Sequence, residues 1–509
     1  MRLERSKNAK RNSFWGLISN MVATLFPFFV RTILIKELGA EYLGLSGLFT
    51  SILTVLNITE LGFGTAMVYT MYKPLADDDT DLLCALLNFY RKIYKIIGIL
   101  IFVAGLAVMP FLKNLINGTV PNGINIYVLY VMYLVNTSLS YWLLAYKNSI
   151  LVIYQRDDIT SRIGIIAMTA MYIGQAIVIA TTHNYYFYVA ALLCYTAGKN
   201  IFPAIYVKRH YPQYSCRGEI SQDLKKDIKT RVSGLMITKL SSVSRNAFDS
   251  IVVSAFFGLV IVGIYNNYFY IINAVTSIML VFTSAIAGGV GNSVAEDTPE
   301  KNRKDFRIIN FWYMWISAWF MSCLVGLFQP FMRLWVGNDL MFSNRIMIAF
   351  ALYFFIQKLG EVQAKYFDAV GLWWHRKWYS IAEAIGNLLL NVILGYFFGV
   401  FGIVVATIIT IFFINFLGAS RIIFRYYFKT GFREYIFDQL RWLLIACGIS
   451  AIIYVVTSNI RLENAFAEIF IKALICAVVP NILIFLLNFK TKLYPVALQW
   501  ISVRVKRKS

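Results

Sequence analysis

Residues 236–258 read MITKLSSVSRNAFDSIVVSAFFG, an apolar stretch that carries ion-binding side chains. Thr238, Ser242, Arg245 and Asp249 follow one another at spacings of 4, 3 and 4. On a helix such spacing puts them on one face. Lys239 and Asn246 flank that face, and Ile237, Leu240, Val243, Ala247 and Ile251 take the opposite side. Arginine and lysine in such a place are anion-binding groups, with phosphate a natural partner. A charge among apolar residues long enough to cross a bilayer is costly, and it marks a functional site by default. Two readings stay open. The polar face lines a water-filled cavity or packs on a neighbouring helix; alternatively, Arg245 and Asp249 simply neutralise each other at i and i+4.

The same habit recurs. In 346–368, Lys358, Glu361 and Lys365 stand at i, i+3 and i+7, with Gln357 and Asp368 beside them. Lys358 falls near mid-depth, where only a cavity supplies water, whereas Lys365 can snorkel to the surface. In 13–35, Asn20, Thr24, Pro27 and Arg31 repeat the 4, 3, 4 spacing. Arg31 can snorkel as well, and Pro27 can kink the helix and let it bend between states. Asn57 to Gly64, NITELGFG, is a charged and flexible break in an apolar run, which makes Glu60, Gly62 and Gly64 candidates for conformational coupling. Lys199, Asn200 and Pro203 share one run, and Glu383 and Asn387 another. Lys472, near an outer end, is expected to snorkel. The set Arg31, Lys199, Lys239, Arg245, Lys358 and Lys365 outnumbers the clear intramembrane acids. A protected cavity with a surplus of cations attracts an anion, such as a phosphate-bearing lipid.

The elements that must position these residues are membrane spans. The 509 residues are 59% hydrophobic, 16% aromatic and only 15% charged, with mean hydropathy +0.63. Soluble domains hold roughly 45–50% apolar and about 25% charged residues. Apolar runs of about 20 residues recur, each long enough to cross a hydrocarbon core, and no ten-residue alternation of a β-barrel is seen. The sequence therefore predicts an all-α polytopic membrane protein with about 14 transmembrane helices. Spans one to six lie between 13 and 206, seven to twelve between 233 and 424, and the last two at 442–457 and 468–488. An even number puts both termini on one side. With that side cytoplasmic, the outer loops hold only Lys36, Lys113, Arg333, Arg345 and Arg461 of the 48 lysines and arginines, as the positive-inside rule requires.

A repeat divides these spans. LGAEYLGL at 38–45 and FGLVIVGI at 257–264 share the pattern [LF]-G-x-x-x-[LV]-G-[LI] at an offset of 219 residues. The glycines suit a tight turn between helices. Both copies start from the same side, which predicts two parallel six-helix halves. The expected organisation is an N-lobe at 1–207 with a basic cytoplasmic tail, a cytoplasmic loop at 208–232, a C-lobe at 233–424, and two more spans with a basic tail at 425–509.

Several functions are disfavoured. The formal net charge of +22 sits in loops, not in a basic stripe with interleaved aromatics, so nucleic-acid binding is rejected. The six cysteines form no CxxC pair and read as small packing residues. No HExxH, Walker A or GxSxG motif occurs, so no catalytic residue, metal or cofactor is expected. The run Asp77-Asp78-Asp79-Thr80-Asp81 reads as a solvated loop capping the next helix. Asn117-Gly118-Thr119 matches a glycosylation sequon, a common triplet.

LGAEYLGL at 38–45, Ser51-Ile52-Leu53, Glu60-Leu61-Gly62-Phe63-Gly64, Lys73-Pro74-Leu75-Ala76 and Asn88-Phe89-Tyr90-Arg91-Lys92 together resemble the N-terminal signature of polysaccharide flippases. These belong to the multidrug/oligosaccharidyl-lipid/polysaccharide exporter superfamily. The resemblance is most specific over about residues 12–100, and the rest agrees in length and repeat. It implies two six-helix bundles around a central cavity, often with two added helices. It also implies a bacterial inner-membrane protein, not an enzyme, that moves undecaprenyl-diphosphate-linked oligosaccharide to the outer leaflet by alternating access. Polymerase and glycosyltransferases of the same pathway are the implied partners. Cavity cations in such proteins engage diphosphate and sugar, which makes Arg31, Lys199, Lys239, Arg245, Asp249, Lys358, Glu361 and Lys365 the candidates here. Span eight, with Asn266, Asn267 and Asn273 but no charge, departs from a cationic lining. The competing readings are a multidrug cation antiporter of the same superfamily, an amino-acid or ion symporter of another fold, and a membrane enzyme of the polysaccharide pathway.

Overall fold

A computed structural model describes residues 5–60, 62–118, 120–121 and 123–506; it leaves out the side chains at 5–7, 9, 59, 237–239, 241–242, 244, 246 and 501–506. The described chain is helical throughout. The helices are α1 (Arg5–Glu37), α2 (Ala40–Leu56), α3 (Phe63–Ala76), α4 (Thr80–Val108), α5 (Ile126–Trp142), α6 (Asn148–Ile153), α7 (Asp157–Thr182), α8 (Tyr185–His210) and α9 (Gln222–Glu296). They continue with α10 (Pro299–Val336), α11 (Asn344–Lys358), α12 (Glu361–Val370), α13 (Trp373–Ile409), α14 (Leu417–Ile423), α15 (Arg433–Ser458), α16 (Ala465–Asn488) and α17 (Leu493–Lys506).

Among the described residues, nine helical stretches are long and apolar enough to cross a membrane, or ten when the bent pair Ile126–Trp142 and Ala145–Ile153 counts as one. Two of them run far beyond one bilayer, Ala247–Glu296 with 50 residues and Trp373–Phe428 with 56. A straight 50-residue helix is about 75 Å long, against roughly 30 Å of hydrocarbon. Glycine breaks resolve this. Gly258 has φ 82° and ψ 178°, and Gly399 has φ 65° and ψ −151°, both outside helical geometry. Each long element is thus two helices joined at one glycine.

Helix starts follow local chemistry. The Asp79 carboxylate accepts from the Leu82 amide at 2.9 Å and begins α4. Asn125, Asn184 and Asn464 do the same for α5, α8 and α16, and Thr298 with Pro299 begins α10.

The chain forms two compact units, Met1–Asn266 and Asn267–Ser509. Unit 1 is packed around Leu34, Phe49, Met67, Tyr130 and Val189. Unit 2 is packed around Phe306, Met314, Phe350, Phe354 and Ile403. Large apolar side chains also point outward, among them Phe29, Ile166, Tyr396, Leu444 and Phe466. Such an apolar exterior suits lipid as solvent. The chain is therefore an all-α, multi-pass membrane protein.

The N-terminal helix is tied down by charge. Asp158 is fully buried; Arg11 Nε and Arg156 Nε each lie 3.0 Å from its carboxylate, and Asn12 accepts from the Asp158 amide at 2.9 Å. These bonds hold the start of α1 against α7. α1 then runs as one helix through Pro27, which is half-buried within it.

Candidate functional site

The repeat glycines of unit 1 do two different jobs. Gly39 and Gly258, equivalent at the 219-residue offset, share a backbone that favours glycine, φ 106° with ψ 167° and φ 82° with ψ 178°. Gly44 and Gly263 instead allow close approach. A Cβ on Gly44 would lie 2.0 Å from the Leu259 carbonyl oxygen, and one on Gly263 would lie 2.7 Å from the Ala40 carbonyl oxygen. Ala40 and Leu259 are themselves repeat equivalents, so the contact is reciprocal, as a two-fold relation between the copies requires. Gly47 completes it, because its Cβ position meets the side-chain nitrogen of its own equivalent, Asn266. The turn at Gly258 is held by the segment after α4. The Asn117 amide donates to the Phe256 carbonyl at 2.6 Å, and the Ser254 hydroxyl donates to the Leu115 carbonyl at 2.6 Å. The sequon asparagine thus serves the helix break.

Residues 236–258 form part of α9. Asp249 is buried and accepts a hydrogen bond from the Tyr265 hydroxyl at 2.8 Å. Arg245 is half-buried one turn away. Lys239, with Thr238 and Ser242, lies outside the described side chains. Arg31 on α1 is half-buried. Lys199 on α8 is exposed, its ammonium 5.7 Å from the ring centroid of Tyr195.

The break at 57–64 also carries a network around the half-buried Glu60 carboxylate. Asn57–Glu60 forms one 3-10 turn, and Gly62, at φ 92°, opens α3. The Tyr94 hydroxyl donates to Glu60 Oε1 at 3.1 Å, and the Tyr90 hydroxyl donates to Tyr94 at 2.9 Å. Tyr141 reaches Asn57 at 3.3 Å. Gly64 leaves room for this network, because a Cβ there would lie 2.9 Å from the Tyr90 hydroxyl.

Unit 2 contains an intramembrane ion pair at a break in a span. The expected span ten breaks at Leu359–Gly360, so that Lys358 ends α11 and Glu361 begins α12. Lys358 is fully buried, with Nζ 2.6 Å from Glu361 Oε1 and 5.4 Å from the Phe354 ring centroid. The Tyr313 hydroxyl on α10 donates to the other oxygen of Glu361 at 2.5 Å. The carboxylate keeps 22% exposure. Lys365 is half-buried, and Asp368 accepts from the Trp373 indole at 3.1 Å. A second polar stripe crosses α13. Asn415 donates to the buried Glu383 at 2.6 Å, Arg376 donates to Asn415 at 2.6 Å, and Asn387 donates to Thr407 at 2.9 Å. Asn415 sits in a π-helical stretch, Thr410–Phe416, a geometry frequent at functional sites.

One expectation is overturned. Lys472 does not snorkel: it is 5% exposed, and its ammonium lies 2.6 Å from Glu468 one turn back on α16. A carboxylate at i−4 makes burial cheaper than stretching to the surface.

Thus the structure joins Lys358 to Glu361 and brings Gly64 against Glu60. Arg31, Lys199, Arg245 and Asp249 belong to unit 1, on α1, α8 and α9, and Lys358, Glu361 and Lys365 to unit 2. Tyr94, Tyr265, Tyr313 and Asn415 escaped the sequence reading. In hydropathy a tyrosine passes for core, and its carboxylate partner lies far off in the chain.

No family model matches the chain, and no curated protein sequence matches it. Solved structures do. The lipid II flippase MurJ, in an inward closed conformation, matches with a TM-score of 0.65 at 16% identity, covering 94% of this chain and 98% of that one. An inward-facing multidrug resistance MATE family transporter of the MOP superfamily gives 0.64 at 15% identity, covering 82% and 96%. A mutant of the Vibrio cholerae MATE transporter VcmN gives 0.57 at 14% identity, covering 82% and 97%. The chain has the fold that this flippase and these multidrug transporters share.

Proposed function

We propose that the chain is a flippase of the MOP superfamily that carries polyprenyl-diphosphate-linked oligosaccharide from the inner to the outer leaflet by alternating access. The observation that carries this reading is coverage. The flippase fold spans 94% of the chain, against 82–87% for the MATE transporters. The positions of the basic residues add support: Arg31, Lys199, Lys239 and Arg245 fall in apolar helices of unit 1, where phosphate is their natural partner. In this proposal the 14 spans and both lobes are as the sequence predicts, the termini are cytoplasmic, and the protein lies in a bacterial inner membrane. Its partners are the lipid-linked substrate and the polymerase and glycosyltransferases of one polysaccharide pathway.

A cation antiporter is the second reading. The carboxylates favour it, since the half-buried Glu60 and Glu361 and the buried Asp249 each accept from a tyrosine hydroxyl. Depletion in cells separates the two. Under the flippase reading, lipid-linked oligosaccharide accumulates on the inner leaflet. Unchanged sidedness together with heightened sensitivity to cationic drugs would favour the antiporter.

A further inference from the structure

The acidic run 77–81 plays no part in transport as described so far. It borders a pocket of about 650 Å³ in unit 1, formed by the end of α3, the start of α4 and the start of α9. Tyr69, Tyr72, Lys73, Asp77, Asp227 and Arg231 supply its chemistry. Tyr69 and Tyr72 are 62% and 44% exposed, high values for aromatic rings that face a concavity.

The pocket is fixed from two sides. Arg231 Nε donates to Asp227 Oδ2 at 2.8 Å, and its guanidinium stands 4.7 Å from the Tyr69 ring centroid. α9 thereby holds a ring of α3 in place. One turn further along α9, Leu235 abuts the break: a Cβ on Gly62 would lie 2.4 Å from the Leu235 Cβ. The Asp79 carboxylate is anchored as the cap of α4. Among the described residues no three carboxylates converge as metal ligands would.

The lining discriminates between ligands. Asp77, Asp79 and Asp227 outnumber Lys73 and Arg231, and Arg231 is already paired with Asp227, so the lining disfavours a diphosphate. A hydrocarbon chain would strand all five charges. A sugar fits both features: its C–H faces pack on open aromatic rings, its hydroxyls donate to carboxylates, and its oxygens accept from lysine and arginine.

We infer that this pocket is a sugar subsite, which takes part of the oligosaccharide while the diphosphate engages cations elsewhere. The inference rests on the flippase reading. With the termini cytoplasmic, the subsite opens on the face where the substrate is assembled, and it lies between two helices that meet at the Gly62 break.

The test uses the full-length protein in nanodiscs and the oligosaccharide released by mild acid from the lipid-linked pool of the same cells. Saturation-transfer NMR with the wild type should show the sugar bound, and inorganic pyrophosphate should not displace it. Tyr69→Ala with Tyr72→Ala should weaken binding roughly tenfold, while the corresponding Phe pair retains it. Asp77→Asn, at an exposed position, should weaken it severalfold and carries the test if the alanine pair does not fold. No signal from the wild type, displacement by pyrophosphate, or undiminished binding by folded alanine and asparagine variants would each overturn the subsite. Failure of the flippase reading looks different, because depletion would then leave leaflet sidedness unchanged whatever the NMR reports.

Discussion

Lys358 has no exposed surface and one carboxylate 2.6 Å away. Removing either partner of a buried pair leaves a charge without compensation, which costs more than the pair itself contributes. Glu361→Gln should therefore destabilise the protein by about 3 kcal/mol, near the lower end for such breaks because Glu361 keeps some exposure. The double variant Lys358→Met with Glu361→Gln should melt close to the wild type, and a melting curve of purified protein in detergent checks both. If the double variant is as unstable as the single one, the pair is not the reason Lys358 tolerates burial. The i,i+3 spacing of this pair was plain in the sequence. Tyr313 was not, because nothing local links it to a carboxylate 48 residues away. Lys472 shows the converse. Its proximity to a span end pointed to the surface, while Glu468 one turn back held it inside.

At the scale of elements, glycine decides where helices end and where they touch. The repeat at 38–45 and 257–264 could be read from sequence, and with it the turns at Gly39 and Gly258. The reciprocal packing of Gly44 and Gly263 could not, since a close approach between helices leaves no periodic trace. Gly44→Ala would force a methyl to within 2.0 Å of a backbone oxygen. A loss of about 1–3 kcal/mol follows from such overpacking. Gly234→Ala, with nothing within 4 Å, should be neutral or stabilising, because alanine is the better helix former. Equal melting temperatures for the two variants would refute the close contact. Asn117→Ala removes a hydrogen bond at the Gly258 turn and should cost about 1 kcal/mol in the same assay.

For the whole molecule, composition alone established a polytopic helical protein, because every span needs about 20 apolar residues whatever it does. The breaks in the two elements of 50 and 56 residues fall at Gly258 and Gly399, between spans that the sequence already separates. The cation stripe was visible because charge is rare in such segments. The tyrosines that bond its neighbouring carboxylates and the sugar-sized pocket were hidden, since both depend on which helices become neighbours. Orientation has its own test. In a cysteine-free background Asp339→Cys should react with an impermeant maleimide in intact cells, and Glu219→Cys only after permeabilisation; the reverse pattern would invert the proposed topology. The proposed function is movement of a lipid-linked oligosaccharide between leaflets. Purified protein in liposomes, loaded with a fluorescent polyprenyl-diphosphate disaccharide and challenged with an impermeant quencher, measures that movement directly. The account predicts protein-dependent quenching of the inner-leaflet pool, slowed in Arg245→Ala but not in Gly234→Ala. Quenching that stops at the outer-leaflet half, with protein folded and present, would contradict it.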